Sequence, residues 1–156
     1  MINYNNKVVG QKINFGSFDV TKDLVESYCS SVNENNPLYL DESVAKQSVY
    51  GKLIAPPLIF VSVQFDVELP DPEVNFGNAR FLAGQKVESF HPIYIGDTIQ
   101  AVGSITDVYE KTGRTGTMVF VVNQTEYFNQ DNVLVATRQA SMVHREVESE
   151  QSIIFC

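Results

Sequence analysis

At 156 residues, with 44% hydrophobic and 19% charged side chains, the chain suits one domain that buries a core without disulfides or metals. That balance is too apolar for a disordered chain. The formal net charge of −8 argues against nucleic acid, whose phosphates call for clustered Lys and Arg, and against docking on anionic lipid.

The opening "MINYNNKVVG" is polar and lacks the apolar core of a signal peptide, and no apolar run reaches the roughly 18 residues of a membrane span. Cys29 and Cys156 form no CxxC pair, and Cys156 does not stand where a prenylation box needs its cysteine. A reduced, cytoplasmic protein is the expectation. The segment 20–32, "VTKDLVESYCSSV", predicts a helix capped by Thr21, with Asp23 at its positive end. Leu24, Val25, Tyr28, Cys29 and Val32 form its apolar stripe, so Tyr28 and Cys29 are expected in the core. Asn35, Asn36 and Pro37 then make a turn, because the residue before a proline avoids helical geometry. A short second helix is expected to start at Asp41.

The run 55–67, "APPLIFVSVQFDV", fits either helix or strand by period. Pro56 and Pro57 suit the first turn of a helix and would damage a central strand, which predicts a buried helix over about 56–66. From residue 79 onward the pattern changes to long strands, at 79–90, 97–110, 115–129 and 133–146. Their separators, "HPIYIGD", "KTGR" and "NQDN", carry turn residues. Helices first and a strand meander afterwards indicate an α+β domain with an antiparallel sheet covered on one face. Residues 1–146 are expected to form this domain and 147–156 a tail that docks on it or on a partner.

The chain holds no GxSxG elbow, P-loop or GxGxxG, and His91 and His144 have no metal-ligand spacing, so both read as structural or solvated. What remains is "NENNPLYLDESVA" at 33–45, whose turn projects Glu34 and Tyr39 from one loop. "YGKLIAPP" leads from there to the start of the expected helix, where the dipole favours negative charge. A carboxylate loop beside such a terminus suits acid–base chemistry on a polarised carbonyl.

These two stretches, with "HPIYIGDTI" at 91–99 and "ITDVYEKTGRTG" at 105–116, resemble the MaoC-like dehydratases of N-terminal-domain type over about 15–145. The resemblance implies a single hot-dog domain, a long sheet wrapped around a central helix, paired as dimers or pseudo-dimers. It also implies lyase chemistry without metal or bound cofactor, as in (R)-specific enoyl-CoA hydratases and 3-hydroxyacyl-thioester dehydratases. Active relatives place Asp where this chain has Glu34 and His where it has Tyr39, and keep the Asn-Pro matched by Asn36 and Pro37. Their His-Gly pair at the start of the central helix is matched by Pro56 and Pro57. Glu34 and Tyr39 are thus the degenerate catalytic positions, and Asn36, Ala55, Pro56 and Pro57 the expected substrate-binding ones.

Tyr has a reference pKa of about 10, roughly a thousandfold from a ready base at pH 7. Pro57 has no N–H with which to hold an oxyanion. The resemblance therefore points to a subunit that binds an acyl-CoA or acyl carrier protein thioester and pairs with a catalytic hot-dog partner. A self-sufficient homodimeric hydratase using Glu34, or a non-enzymatic acyl-binding or scaffold module, are the alternatives. Lys52, Arg80, Lys86, Lys111 and Arg114 are candidates for CoA phosphate by charge alone. An isolated hot dog exposes a sheet edge, so at least a dimer is expected.

Overall fold

In the computed structural model, which describes residues 2–147, Thr21 opens helix α1 (Lys22–Val32) as its sequence position predicts. The Thr21 hydroxyl accepts the Leu24 N–H at 3.1 Å, Asp23 sits in the first turn, and Val25 and Cys29 are buried. Asn33, in the left-handed region at φ 55°, ends the helix, and the Glu34 N–H donates back to the Cys29 carbonyl at 2.8 Å. Two short helices follow, α2 (Pro37–Leu40) and α3 (Glu42–Gln47), capped by the side chains of Asn36 and Asp41.

Five strands form one antiparallel sheet: β1 (Ile13–Asp19), β2 (Ala79–Ser89), β3 (Thr98–Gly113), β4 (Gly116–Phe128) and β5 (Leu134–Arg145). Their order is β1-β3-β4-β5-β2. Four of the five match the expected strands closely. β1 is the addition, a short run whose pairing partner lies far along the chain, Ile13 opposite Gly103. Its Phe15 ring occupies the space that a Cβ on Gly103 would fill. The meander expected from 79 onward holds only for β3, β4 and β5. β2 pairs with β5, Ala79 opposite Arg145, so the 91–97 segment crosses the sheet rather than closing a hairpin.

The long helix expected over 56–66 is absent, and this corrects the sequence reading. Only a 3-10 turn, Ile59–Ser62, forms there, followed by an irregular segment to residue 78. Its bonds are all i→i+3: Ile59 N–H to Pro56 O, Val61 N–H to Leu58 O and Val63 N–H to Phe60 O. The prolines do start a helical turn, but Ile59, Val61 and Val63 are β-branched, no side chain caps the turn, and Pro70 and Pro72 follow. The longest helix among the described residues is therefore α1.

Two clusters make up the core on the covered face of the sheet. The larger holds Val25 and Cys29 of α1, Ala55, Ile59, Phe60, Ile99, Tyr127 and Val135, with Tyr39 and Leu40 packed against it. The smaller holds Val8, Ile105, Val108, Val119 and Val121, overlaid by Leu69, Val74 and Phe76 from the irregular segment. The expected buried place of Cys29 and the covered face of β4 are both found. Helices at one end and segments laid across a curved antiparallel sheet give the hot-dog arrangement. Among the described residues no helix is long and apolar enough to cross a membrane. The Asn78 side chain brackets Val147, accepting its N–H at 2.8 Å and donating to its carbonyl at 2.9 Å. The rest of the expected tail, 148–156, lies outside the described residues.

Candidate functional site

Glu34, Asn36 and Tyr39 share the connection between α1 and α3, and each side chain is held by its immediate neighbours. The Glu34 carboxylate accepts the Asn36 N–H at 2.9 Å, and the Asn36 side-chain carbonyl accepts the Leu38 N–H at 3.0 Å. The loop is therefore a pair of side-chain-to-backbone turns, with Pro37 fixing the first residue of α2. One Glu34 oxygen shapes the loop instead of facing a substrate.

Tyr39 is half-buried against the main core. Burial pushes its phenol above the ordinary value, and the negative charge of Glu34 pushes it further. Cys29 and Tyr50 add to the rise, which the Asn36 side chain opposes. Burial also raises the Cys29 thiol, again with help from Glu34. Both the phenol and the neighbouring thiol are thereby favoured in their protonated forms.

The second expected segment does reach this loop, through the backbone. The Ile54 N–H donates to the Leu38 carbonyl at 3.3 Å, and Ile54 bridges Tyr94 in antiparallel fashion. The Ala55 N–H donates to the Ile93 carbonyl at 2.7 Å and the Ile95 N–H to the Leu53 carbonyl at 3.2 Å. Ala55 and Pro56 are buried and face the core, while Pro57 is exposed. Of the expected substrate-binding residues, Asn36 and Pro57 remain on the accessible side. Ala55 and Pro56 act as packing, and the Ala55 N–H is already engaged.

Sequence reasoning passed over the brace beneath this site. Asp97 is buried, accepts the Tyr94 N–H at 2.8 Å and takes a second bond from Gln130 Nε2 at 3.0 Å. The "IGD" that ends the 91–97 segment is the signal that was available. A cavity of about 210 Å³ beside the loop is lined by Glu42, Lys46, Lys52, Leu53 and Ile95. The Lys52 ammonium lies 4.4 Å from the centroid of the Tyr94 ring. Of the five cationic candidates, Lys52 is the one beside the loop. Lys86 pairs with Glu88 at 2.9 Å, Lys111 and Arg114 occupy the far tip of the β3–β4 hairpin, and Arg80 lines a different cavity. No group of three His, Cys, Asp or Glu is placed to hold a metal among the described residues.

Comparison with known proteins adds to this geometry. The family described as FAS1-like, dehydratase domain region, matches residues 7–138. A UPF0336 protein of Thermobifida fusca is 27% identical over 100 residues, an alignment that spans 62% of this chain and 66% of that one. Among solved structures, the monoamine oxidase regulatory protein of Archaeoglobus fulgidus superposes with a TM-score of 0.71 at 26% identity, covering 94% of this chain and 96% of that one. The (R)-hydratase of A. caviae involved in PHA biosynthesis gives 0.64 at 22% identity, covering 88% and 96%. The HadBC 3R-hydroxyacyl-ACP dehydratase complex of Mycobacterium tuberculosis gives 0.63 at 19% identity, covering 87% and 96%. The last two likenesses bear on fold alone.

Proposed function

Because the chain belongs to the FAS1-like dehydratase domain family and has the hot-dog fold of the MaoC-like dehydratases, we propose that it is the substrate-binding subunit of an enoyl-thioester hydratase or (R)-3-hydroxyacyl-thioester dehydratase. Hydration across the double bond beside a thioester has three needs. A base must take a proton from water, donors must hold the thioester oxygen as it becomes an enolate, and an acid must protonate the α-carbon. The state of Tyr39 is the observation that carries the reading. Its phenol is held protonated at the position of the expected base, while Pro57 offers no N–H at the position of the expected oxyanion donor. Losing one such donor costs on the order of 10²–10³ in rate. The chain keeps the loop, the bridge to 53–55 and the core beneath them, which position an acyl thioester. The proton transfers fall to a partner carrying Asp and His.

The free edge of β2 supports this pairing. β2 lies at one end of the sheet with Phe81 and Leu82 45% and 48% exposed. The fold neighbour HadBC is itself a dehydratase complex, which is consistent with assembly from two hot-dog chains.

The test is hydration of crotonyl-CoA by the purified chain, alone and with a catalytic hot-dog partner. Turnover is expected only in the presence of the partner. Ordinary enzymatic turnover by the chain alone, abolished by Glu34→Ala, would instead establish a homodimeric enzyme that uses Glu34. Absence of any thermal shift with acyl-CoAs would support a scaffold role.

A further inference from the structure

The two core clusters leave a polar gap between them on the covered face of the sheet, and that gap holds a cation that no carboxylate pairs with among the described residues. On this face β4 presents Tyr127, Thr125, Asn123 and Val121 in turn. β5 places Arg138 opposite Thr125, and Ala140 opposite Asn123. Tyr127 belongs to the main cluster and Val121 to the smaller one, so Thr125, Asn123, Arg138 and Ala140 lie between the two. None of these four residues is fully buried.

Arg138 and Thr125 reach the Tyr127 phenol, but two polar atoms in the gap lack partners. Arg138 Nε and Asn123 Oδ1 are both shielded from solvent and make no hydrogen bond. Arg138 takes part in none of the ion pairs among the described residues. The carboxylates nearest in register, Glu126 and Glu88, both lie opposite Thr137 and hence on the other face of the sheet, and Glu68 and Asp71 of the overlying segment line the cavity that Asn123 shares with Arg80 without pairing with Arg138. A guanidinium held at the edge of a core without a counter-charge is costly unless an anion joins it. The gap also adjoins the candidate site. The Tyr127 ring packs on Phe60 with centroids 4.2 Å apart, and Phe60 lies in the turn that follows Pro56 and Pro57.

We propose that Arg138, with the hydroxyls of Thr125 and Tyr127 and the amide of Asn123, binds a carboxylate carried at the far end of the acyl chain. This proposal rests on the acyl-thioester reading and adds the class of substrate, an ω-carboxylated enoyl thioester. The planar guanidinium fork matches a carboxylate. The Asn123 amide can turn either its oxygen or its NH₂ toward the ligand, and the NH₂ suits a carboxylate.

The test compares binding of trans-2-hexenedioyl-CoA and trans-2-hexenoyl-CoA, which differ only in the terminal carboxylate. Calorimetry on the full chain is expected to show the dicarboxylic thioester binding about tenfold or more tighter, as one charge-assisted contact allows. Arg138→Met should abolish that preference and leave hexenoyl-CoA binding unchanged. Tyr127→Phe, which keeps the stack on Phe60, should reduce the preference and covers the case in which Arg138→Met does not fold. Equal affinity for the two thioesters, or a preference that survives in both variants, overturns the proposal and leaves the acyl-thioester reading standing. Failure of both thioesters to bind overturns that reading. In that case stabilisation of the native chain by adipate alone, lost in Arg138→Met, would still establish the anion site, and its absence would remove that too.

Discussion

Glu34 and Tyr39 are tied together by the loop that carries them. The carboxylate accepts the Asn36 N–H, and burial together with that same carboxylate pushes the phenol above its ordinary value. Tyr39→Phe is therefore expected to leave turnover by the assembled pair unchanged. A large loss in kcat measured with crotonyl-CoA would show that the phenol takes part in the chemistry. That Glu34, Asn36 and Tyr39 share one loop was legible in the sequence. The capping role of Glu34 was not, because it depends on the loop turning back on itself. His144 ties stability to pH. Burial first, and then the charge of Arg80, lower its pKa below the ordinary 6.5, with Asp71 opposing. The unfolded chain therefore binds the proton more readily. This contribution to stability is complete above the unfolded value and is lost as pH falls through the lowered native value. Urea titrations between pH 7.5 and 5 should show stability declining, and His144→Gln should flatten that decline.

Among the elements, the 3-10 turn at Ile59–Ser62 is where sequence logic and structure part. Two prolines at a helix start are a sound local signal, yet three β-branched residues at alternate positions weaken the continuation. The turn still anchors the core through Phe60, which is 1% exposed and packed on Tyr127. Phe60→Ala should cost about 3–5 kcal/mol, as measured by chemical denaturation. Gly77, just before β2, runs at φ +75°, and a Cβ there would meet the Arg145 backbone at 2.5 Å. Gly77→Ala is expected to lower the melting temperature clearly, because the obstacle is main chain that cannot rotate away. The four long strands were legible because alternation of Val, Thr, Phe and Tyr between turn residues is a local pattern. β1 was not, since "INFGSFD" contains a glycine and gains its strand character from distant pairing with β3.

For the whole molecule, the α+β class and one-face burial followed from the order of elements. The placement of β2 beside β5 did not, because nothing local encodes which strand a given edge will meet. That placement leaves β2 as an outer edge with exposed Phe81 and Leu82. Light scattering of the purified chain is expected to report a dimer or larger assembly, and Phe81→Asp with Leu82→Asp should shift it toward monomer. A monomeric native chain would contradict the pairing on which the proposed function depends.

The strand order also fixes a sequence of events during folding. β3, β4 and β5 are joined by tight turns, Gly113 opposite Gly116 and Phe128 opposite Leu134, so each closes a short loop. β1 must wait for a partner some 90 positions away, Ile13 for Gly103, and β2 for one more than 45 away, Ser89 for Ala136. Loop closure favours a nucleus in the β3–β4–β5 hairpins with both edges added afterwards. Substitutions in β2 should then mainly accelerate unfolding, while those in β4 should slow refolding. The edge proposed to meet another subunit is thus among the last to be completed, so partner concentration should enter the late phase of refolding.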